Sequence, residues 1–372
     1  MSRLQAPDFA GSLRLAPGQA RPHNLISSRR DWAALLTKGV PAADVAARLA
    51  SLYSLCGESH RLCAQRAVAA AQGVPNGATR DAAQVLRRET AREHVRRIAL
   101  DWPVQLAAVL GVEPAPQQMQ AWLKQCPLFQ ADAAQELDWL PWLSAQVLGD
   151  DARHWLDQWE QDPPAWLAAW SARTPLGLPR LLHRVQPVMN RVRPASPFLR
   201  VHAHEAELHL LAETLRRDPG FARQPVWRGG CAETGTWTRL HQQQPGRVNT
   251  AWLRWGARLA ELVRLALPDE PGRCGAQWLA LGSLPTAPRS GLGWVEMARG
   301  LLVHHVELDA QGSTVQSCQV LAPTEWNFHA RGAVAQALEG LTDSADARRE
   351  IHGIVSAYDP CVKHEFTGAP DA

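Results

Sequence analysis

The sequence predicts a mostly α-helical protein with a small antiparallel β-sheet, an α+β fold expected to form a single domain over residues 1–372. Three observations support this class. Hydrophobic residues make up 46% of the chain, which is enough for a sizeable core. Apolar positions recur at helical spacing, with proline breaks, as far as residue 267. From Leu292 the repeat shortens to two residues, as in strands.

The N-terminal region predicts one strand followed by two helices. The alternating stretch Ser12–Leu15 lies in a Pro/Gly-rich opening and is typical of an edge strand. Helical spacing follows over 31–38 and 42–63. A Gly-Val-Pro sequence at 39–41 separates the two helices. The second helix is expected to begin near Pro41, because proline is favoured at the start of a helix.

The central region predicts a series of helices. The first is long and amphipathic, covers 79–100, and is expected to end at Trp102-Pro103 because proline lacks a backbone N–H. Prolines cluster over 175–197, which indicates a surface connection. The remaining helical stretches are predicted over 116–125, 134–147, 151–161, 165–173, 203–217 and 250–267.

The C-terminal region predicts a sheet and two helices. Period-two patterning indicates strands over 294–296, 301–309 and 314–321. Gly312 closes a turn between the last two strands, since glycine tolerates positive φ. Helices over 327–339 and 345–357 then lead to an Asp-Pro-Cys sequence that ends at Cys361.

Composition excludes several classes of function. A net charge of +3 over 372 residues is too small to indicate a nucleic-acid-binding face. There is no apolar run of about 18 residues and no basic segment leading into an apolar one at the start. We therefore expect no membrane span, no signal peptide and a cytoplasmic location. Seven cysteines without a Cys-x-x-Cys pair favour reduced thiols.

Three short segments carry the candidate chemistry. The first lies within 53–63 and reads Leu55-Cys56-Gly57-Glu58-Ser59-His60. The second lies in the strand region 292–322, reads Glu296-Met297-Ala298-Arg299-Gly300, and is followed by Pro323-Thr324-Glu325-Trp326-Asn327. The third lies at 358–364 and reads Tyr358-Asp359-Pro360-Cys361-Val362-Lys363-His364.

Two cysteines at opposite ends of the chain, each with a histidine nearby, are candidate metal ligands. Thiolate is a soft ligand suited to iron or nickel. A lone cysteine is more often a buried small hydrophobe, so the combination matters more than either residue. On the helix predicted over 42–63, Cys56, His60 and Cys63 stand at i, i+4 and i+7 and should share one face. Up to four protein ligands would result: Cys56, His60, Cys361 and His364.

In this order, the segments resemble the large subunit of nickel-iron hydrogenases. There a Cys-x-x-Cys-x-x-x-His segment and a terminal Asp-Pro-Cys-x-x-Cys segment hold the metals. Here Tyr53 stands at the first N-terminal cysteine position and His364 at the last C-terminal one. The resemblance points to a degenerate, non-catalytic relative, the HupK/HoxV type of hydrogenase maturation protein. It implies a large-subunit-like helical bundle in which both cysteine segments meet at the centre.

The resemblance also implies roles for individual residues. Cys56 matches a cysteine that bridges nickel and iron, and Cys361 matches one that binds nickel alone. Because half of each pair is missing, the resemblance implies a single iron, carried transiently as Fe(CN)2CO, and nickel is not expected. Arg299, in the Glu-x-x-Arg-Gly segment that begins at Glu296, matches an arginine that donates hydrogen bonds to the cyanides. Thr324 matches the corresponding hydroxyl donor.

The expected function is a non-catalytic assembly scaffold that passes the iron unit to the immature hydrogenase large subunit. The resemblance implies further contacts with the accessory proteins that make the iron-cyanide unit. One alternative is a hydrogenase-type oxidoreductase with an unusual metal site. Tyr53 argues against it, because a phenol is a hard, weak ligand with a pKa of about 10, and 29–36 offers no match to the acidic residue that relays protons in the family. Another alternative is a metal-free helical binding module. Residues 110–285 contain no motif that discriminates among these functions.

Each candidate residue also has a purely structural interpretation. Glu296 and Arg299 could form an ion pair at a strand end, and Thr324 could cap the helix predicted from residue 327. His304 and His305 alternate faces of a strand, so at most one of them could face a site. The remaining cysteines are expected to be packing residues: Cys126, Cys231, Cys274 and Cys318.

Overall fold

The computed structural model describes residues 10–75, 77, 79–130, 138–192, 196–240, 249–270, 272–341 and 345–367. In these residues, helices enclose a four-stranded antiparallel sheet, and a separate three-stranded sheet joins the two ends of the chain. The predicted fold class, mostly α with a small antiparallel sheet, is confirmed. The described part of the chain contains no helix that is both long and apolar enough to cross a bilayer.

The helices form most of the described structure. In chain order they are α1 (Trp32–Thr37), α2 (Val45–Leu52), α3 (Gly57–Gln72), α4 (Arg80–Arg96), α5 (Trp102–Leu110), α6 (Gln117–Gln120), α7 (Trp122–Gln125), α8 (Leu140–Trp142), α9 (Ala152–Gln161), α10 (Pro163–Arg173), α11 (Gly177–Met189), α12 (Glu205–Arg217), α13 (Thr236–Leu240), α14 (Ala251–Ala266), α15 (Pro323–Asn327), α16 (Ala333–Glu339) and α17 (Ala345–Tyr358). Two π-helical turns extend α4 and α8: Arg97–Asp101 and Leu143–Leu148.

Helix α14 is the central element. Every one of its residues is buried, as expected of a helix that is surrounded by other elements on all sides. The helix predicted over 250–267 is confirmed, and its first turn is capped by the Thr250 hydroxyl, which accepts from the Leu253 amide. The indole of Trp252 donates to the Leu182 carbonyl at 2.9 Å and so joins α14 to α11. Most of the large, fully buried side chains are tryptophans, including Trp155, Trp170 and Trp255.

The four-stranded sheet consists of consecutive antiparallel strands β3 (Leu281–Ala287), β4 (Ser290–Met297), β5 (Gly300–Leu308) and β6 (Val315–Leu321). The three predicted strands are confirmed: β4 extends beyond its predicted bounds at both ends, and the bounds of β5 and β6 differ from the predicted ones by one residue. The Gly312 turn is present with φ of 73°. β3, which was not predicted, contains Pro285 and lies at the edge of the sheet, where a strand tolerates proline. β4 and β5 are buried almost throughout, so the sheet is covered on both faces.

Helix α3 lies unusually close to β4. A Cβ atom added to Gly293 would lie 2.3 Å from the Cys63 carbonyl oxygen, and one added to Gly291 would lie 2.3 Å from that of Ala67. Both contacts are far below van der Waals distance, and the blocking atoms are backbone atoms that cannot rotate away. The two glycines therefore allow the helix backbone to rest directly on the strand.

The second sheet has the order β2-β1-β7, with β1 (Ser12–Leu15) between β2 (Leu25–Ser27) and β7 (Lys363–Phe366). The strand at Ser12–Leu15 was predicted, but its position at a sheet edge is wrong. It is the central strand, antiparallel to β2 and parallel to β7. β7 follows Cys361 within two residues, so the sheet fixes the C-terminal cysteine segment to the N-terminal region.

The single helix predicted over 42–63 is also wrong. The chain leaves α2 at Tyr53, passes through a 3₁₀ turn at Ser54–Cys56, and begins α3 at Gly57. The first turn of α3 is stabilised from outside, because the Glu89 carboxylate accepts from the amides of Glu58 and Ser59 at 2.8 Å each. Cys56 therefore precedes the helix and does not share a helix face with His60.

Three other boundaries differ from the predictions. Pro103 does not end the long helix, because it occupies the first turn of α5, where a missing N–H has no cost. The connection predicted over 175–197 contains helix α11, with Pro179 in its first turn and Pro187 near its end. The helix predicted over 327–339 is divided into α15 and α16. The 134–137 part of another predicted helix lies outside the described residues.

We expect Gly293→Ala to lower the free energy of unfolding by about 1 to 3 kcal/mol, because the methyl group would force α3 away from β4. Chemical denaturation would measure the change. The matched control is Gly340→Ala, where the nearest atom to an added Cβ lies at 3.8 Å and φ is not positive. Equal stability of the two variants would show that the close approach of α3 is not required.

Candidate functional site

The site is built around the Asp359 carboxylate. Asp359 follows α17 directly and adopts a positive φ of 51°, which turns the chain sharply before Pro360 and Cys361. Its carboxylate accepts from Arg258 at 2.7 Å and lies 3.2 Å from Arg97 and 3.4 Å from Arg299. Burial alone would raise the pKa of Asp359, but the three guanidinium groups outweigh it and hold the pKa well below its usual value. The Asp-Pro-Cys segment is thereby fixed in the protein interior.

Cys361 is placed by this turn among polar donors. The Thr324 hydroxyl oxygen lies 3.2 Å from the Cys361 sulfur. The Arg29 Nη1 group donates to the same sulfur at 3.4 Å, and its Nε group donates to Glu325 at 2.7 Å. Thr324 does not cap α15, since Ala322 occupies the N-cap position and the Thr324 side chain turns toward Cys361.

Cys56 lies in the same centre. Its side chain is buried, and burial raises the pKa of its thiol. The positive charge of Arg299 lowers that pKa and the negative charge of a Cys361 thiolate raises it, so both groups are near enough to act on Cys56. Arg299 in turn interacts with both cysteines. Two cysteines separated by 305 positions in the sequence therefore face one arginine.

Arg299 has one unused donor. It lies in the turn between β4 and β5, where its Nε group donates to the Asp359 carbonyl at 3.1 Å and its Nη2 group to the Glu93 carboxylate. Its Nη1 atom is buried and has no hydrogen-bond partner among the described residues. A buried unpartnered donor costs free energy, so it indicates a missing acceptor. Arg299 is thus positioned by two contacts and free to donate with the third nitrogen.

Glu296 belongs to a different buried network. It pairs with Arg239 at 3.2 Å and with His202 at 3.4 Å, and does not form the ion pair with Arg299 that the sequence allows. Arg239 also donates to the Met297 carbonyl and to Glu261. This network holds the end of β4, and through it the turn that carries Arg299.

Among the described residues, neither His60 nor His364 forms a hydrogen bond with Cys56 or Cys361. His60 Nδ1 lies 3.0 Å from His304 Nε2, and its ring stacks on Tyr53 with centroids 4.0 Å apart. Burial lowers the pKa of both histidines, that of His304 to about 3, so both rings are neutral. His364 lies on β7, where its ring contacts Phe366. Among the described residues no three His, Cys, Asp or Glu side chains group to hold a metal ion.

The other histidine and cysteines have structural contacts. His305 points to the opposite face of β5 from His304 and contacts Ser290 at 2.9 Å. The Cys63 thiol donates to the Gly293 carbonyl at 3.2 Å, beneath the sheet. Cys126, Cys274 and Cys318 are buried, whereas Cys231 is partly exposed and lies 3.1 Å from His329 Nδ1.

Sequence reasoning missed several residues of the site. Arg29 and Glu325 are remote in sequence and meet at Cys361, and Arg97, Arg258 and Glu93 surround the Asp-Pro-Cys turn. Glu325 was part of a recognised segment, but nothing in that segment indicated its partner. Arg97 and Arg258 lie in helical segments that carry several other arginines, and no local sequence pattern distinguishes them from those neighbours.

Comparisons with solved structures place this fold in a known class. The chain matches a NAD+-reducing [NiFe]-hydrogenase in its H2-reduced state with a TM-score of 0.50, 14% identity and 91% coverage of both chains. It matches the as-isolated Ni-Fe-Se hydrogenase of D. vulgaris Hildenborough with a TM-score of 0.50, 14% identity, and coverage of 90% of this chain and 92% of the other. The protein therefore has the nickel-iron hydrogenase large-subunit fold.

Sequence comparisons define the family. The chain is 37% identical to the hydrogenase expression/formation protein HoxV of Cupriavidus necator, over 97% of this chain and 96% of the relative. It is 29% identical to HupK of Bradyrhizobium diazoefficiens, over 88% and 87%, and 29% identical to HupK of Azotobacter vinelandii, over 89% of each. No family model matches the sequence. The chain belongs to the HoxV/HupK family of hydrogenase expression/formation proteins.

We expect Glu261→Gln to lower the free energy of unfolding at pH 7 by about 3 kcal/mol, because removing one member of a buried ion pair leaves the other charge unpaired. Burial would raise the pKa of Glu261, but Arg239 and His94 lower it to about 2. Its stabilisation is therefore complete above the unfolded pKa of about 4.3 and is lost as the pH falls toward 2.

Denaturation of parent and Glu261→Gln proteins between neutral and acid pH would check this prediction. The difference in stability should be constant down to about pH 5.5 and should shrink below about pH 4. The control is Glu213→Gln, which alters an exposed pair with Arg217 and should change stability little. A difference that grows as the pH falls would contradict the assignment.

Proposed function

We propose that this protein holds an Fe(CN)2CO unit and delivers it to an immature nickel-iron hydrogenase large subunit. The observation that carries the proposal is the buried Nη1 donor of Arg299, which has no partner among the described residues and belongs to a guanidinium group whose charge acts on both Cys56 and Cys361. Thiolates suit iron, and a cyanide nitrogen is a hydrogen-bond acceptor of the kind that this donor lacks.

The two polar donors at the centre suit such a cargo. A charge-assisted bond from Arg299 to a cyanide would contribute about 1.5 to 3 kcal/mol, and a bond from the Thr324 hydroxyl about 1 kcal/mol. An iron atom that carries three diatomic ligands of its own needs fewer protein ligands than a bare ion. Two thiols can therefore be sufficient, although the described residues do not group three metal-binding side chains.

A holding function is favoured over hydrogen activation. Tyr53, at the place of a nickel ligand, is half-buried, and desolvation raises the pKa of its phenol above the ordinary value, so it stays protonated. His364 lies on β7 against Phe366, with no hydrogen bond to Cys361 among the described contacts. A second metal would have too few ligands at this centre. The relatives HoxV and HupK are named hydrogenase expression/formation proteins, which agrees with a role in building another enzyme.

The partners follow from this proposal. An immature hydrogenase large subunit would receive the iron unit, and accessory proteins that make the iron-cyanide unit would supply it. Loading and delivery require that the unit be bound reversibly, which agrees with a centre that offers two thiols, one hydroxyl donor and the guanidinium of Arg299. No nickel is required at any step.

A second candidate function is a helical binding module without metal. It is favoured by one observation: no three metal-binding side chains group together among the described residues. Infrared spectra of protein purified without oxygen distinguish the two functions, because bound cyanide and carbon monoxide absorb where protein does not. Cyanide and carbonyl bands support the scaffold. Their absence from protein that was co-produced with the accessory proteins would favour the metal-free module.

We expect Cys56→Ala to abolish binding of the iron unit while the protein remains folded, because one thiol contributes little to the core but supplies a direct ligand. The matched control is Cys63→Ala, which removes a buried thiol from the same region that faces β4. Iron content and infrared bands of both variants check the prediction. Normal loading of the Cys56→Ala protein would rule out the proposed ligand.

Arg299→Ala should weaken binding less severely, by about tenfold or more, because it removes a hydrogen bond and not a metal bond. Arg299 also anchors Asp359, so the alanine variant can lose stability as well. Arg299→Lys keeps the charge but lacks the forked donors, and should shift the cyanide bands while the iron remains bound. Unchanged cyanide bands in Arg299→Lys would argue against the hydrogen bond.

The isolated protein should neither evolve nor consume hydrogen, with or without added nickel, because two of the four family cysteines are replaced. Deleting it should leave the client large subunit without iron and unassembled. An oxygen-free hydrogen-uptake assay on iron- and nickel-loaded protein tests the first expectation, with an active hydrogenase as the positive control. Robust turnover would support an oxidoreductase instead.

A further inference from the structure

A partly open pocket lies beside the cysteine centre. It is small, with a cavity volume of about 40 Å³, and it opens to solvent. Its lining includes three arginines and two carboxylates, so its walls are polar: Arg29, Arg30, Arg223, Asp31 and Glu325. Such walls suit a small polar complex better than an apolar ligand.

Arg29 touches both the pocket and the centre. It lines the pocket, and its Nη1 group donates to the Cys361 sulfur at 3.4 Å. The side chain is only 14% exposed and is held by the 2.7 Å ion pair with Glu325. Tyr53, which also lines the pocket, is fixed by its stack on His60. Arg29, Glu325 and Tyr53 thus form the wall nearest to the thiols.

The charge of a loaded centre explains why a second guanidinium is useful. A ferrous ion with two cyanides is neutral, and two thiolates would add two negative charges in the protein interior. Buried charge is costly unless it is paired and hydrogen-bonded. The charge of Arg299 acts on both cysteines, and Arg29 donates to Cys361, so two guanidinium groups are available to offset two thiolates.

We infer that this pocket is the port through which the iron unit reaches Cys361, and that Arg29 is a further cargo-binding residue at the inner end of the port. The inference rests on the proposed function for the identity of the cargo. The location of the port does not depend on the proposed function, because access to Cys361 can be measured on the protein without iron.

Thiol labelling tests the port. Cys361 is alkylated with iodoacetamide in the reduced protein, and the modified peptide is measured by mass spectrometry over time. Ser27→Trp and Gln224→Trp place bulk at two exposed positions of the pocket lining and should both slow the labelling of Cys361. The control, Gln65→Trp, adds the same bulk at an exposed position of α3 and should leave the rate unchanged. If Cys361 is labelled at the parent rate in both pocket variants, the pocket is not the route to Cys361.

Arg29→Ala should have opposite effects on access and retention. Labelling of Cys361 should accelerate, and a loaded protein should lose its iron to a chelator about tenfold faster or more, because a charge-assisted hydrogen bond is lost. Arg29→Lys should retain the iron better than Arg29→Ala, with shifted cyanide bands. Arg48→Ala, which removes an exposed arginine bonded to the Leu36 carbonyl, is the matched control and should behave as the parent.

The outcomes separate the two hypotheses. If the parent binds no iron unit, the proposed function fails, and the labelling rates still decide whether the pocket leads to Cys361. If the parent binds the unit and Arg29→Ala retains it equally well with unchanged cyanide bands, the role of Arg29 is overturned while the scaffold function stands.

Discussion

The ion cluster around Asp359 is the constraint on which the site depends. A buried carboxylate is stable only with compensating charge, and here Arg97, Arg258 and Arg299 supply it from three different elements. Arg97 comes from the π-helical turn after α4, Arg258 from α14 and Arg299 from the turn between β4 and β5. The cluster therefore joins the C-terminal segment to the central helix and to the sheet, and it sets the position of the next two residues, Pro360 and Cys361.

The same cluster prepares Arg299 for a ligand. Two of its three nitrogens are held by the Asp359 carbonyl and the Glu93 carboxylate, so the guanidinium plane cannot rotate freely. The remaining donor, Nη1, is therefore held in a fixed orientation, and little conformational entropy would be lost when it binds an acceptor. Thr324 is fixed in a comparable way, because α15 carries it and its hydroxyl contacts Cys361. Both donors are thus held in place by contacts within the protein before any acceptor binds.

The sequence predicted the elements with strong local signals and missed those that depend on distant partners. Helix α14 and strands β4 to β6 follow from periodicity alone, whereas a metal site shared by Cys56 and Cys361 stays a prediction. The break before α3 was missed because Glu89, from another helix, stabilises the new helix start. A metal-binding role of His60 stays a prediction, and its contact with His304, 244 positions away in the chain, has no local signal in the sequence.

The three-stranded sheet brings site residues from the two ends of the chain together. β2 leads within two residues to Arg29, and β7 begins two residues after Cys361. Since β1 pairs with both, the backbone hydrogen bonds of one small sheet fix the distance between Arg29 and the sulfur to which it donates. The fold thus brings its ends together by main-chain pairing and needs no disulfide to do so, and both cysteines remain free. The two cysteine segments are held by backbone pairing and ion pairs, and not by a bond between the sulfurs, so both thiols remain available for the cargo proposed above.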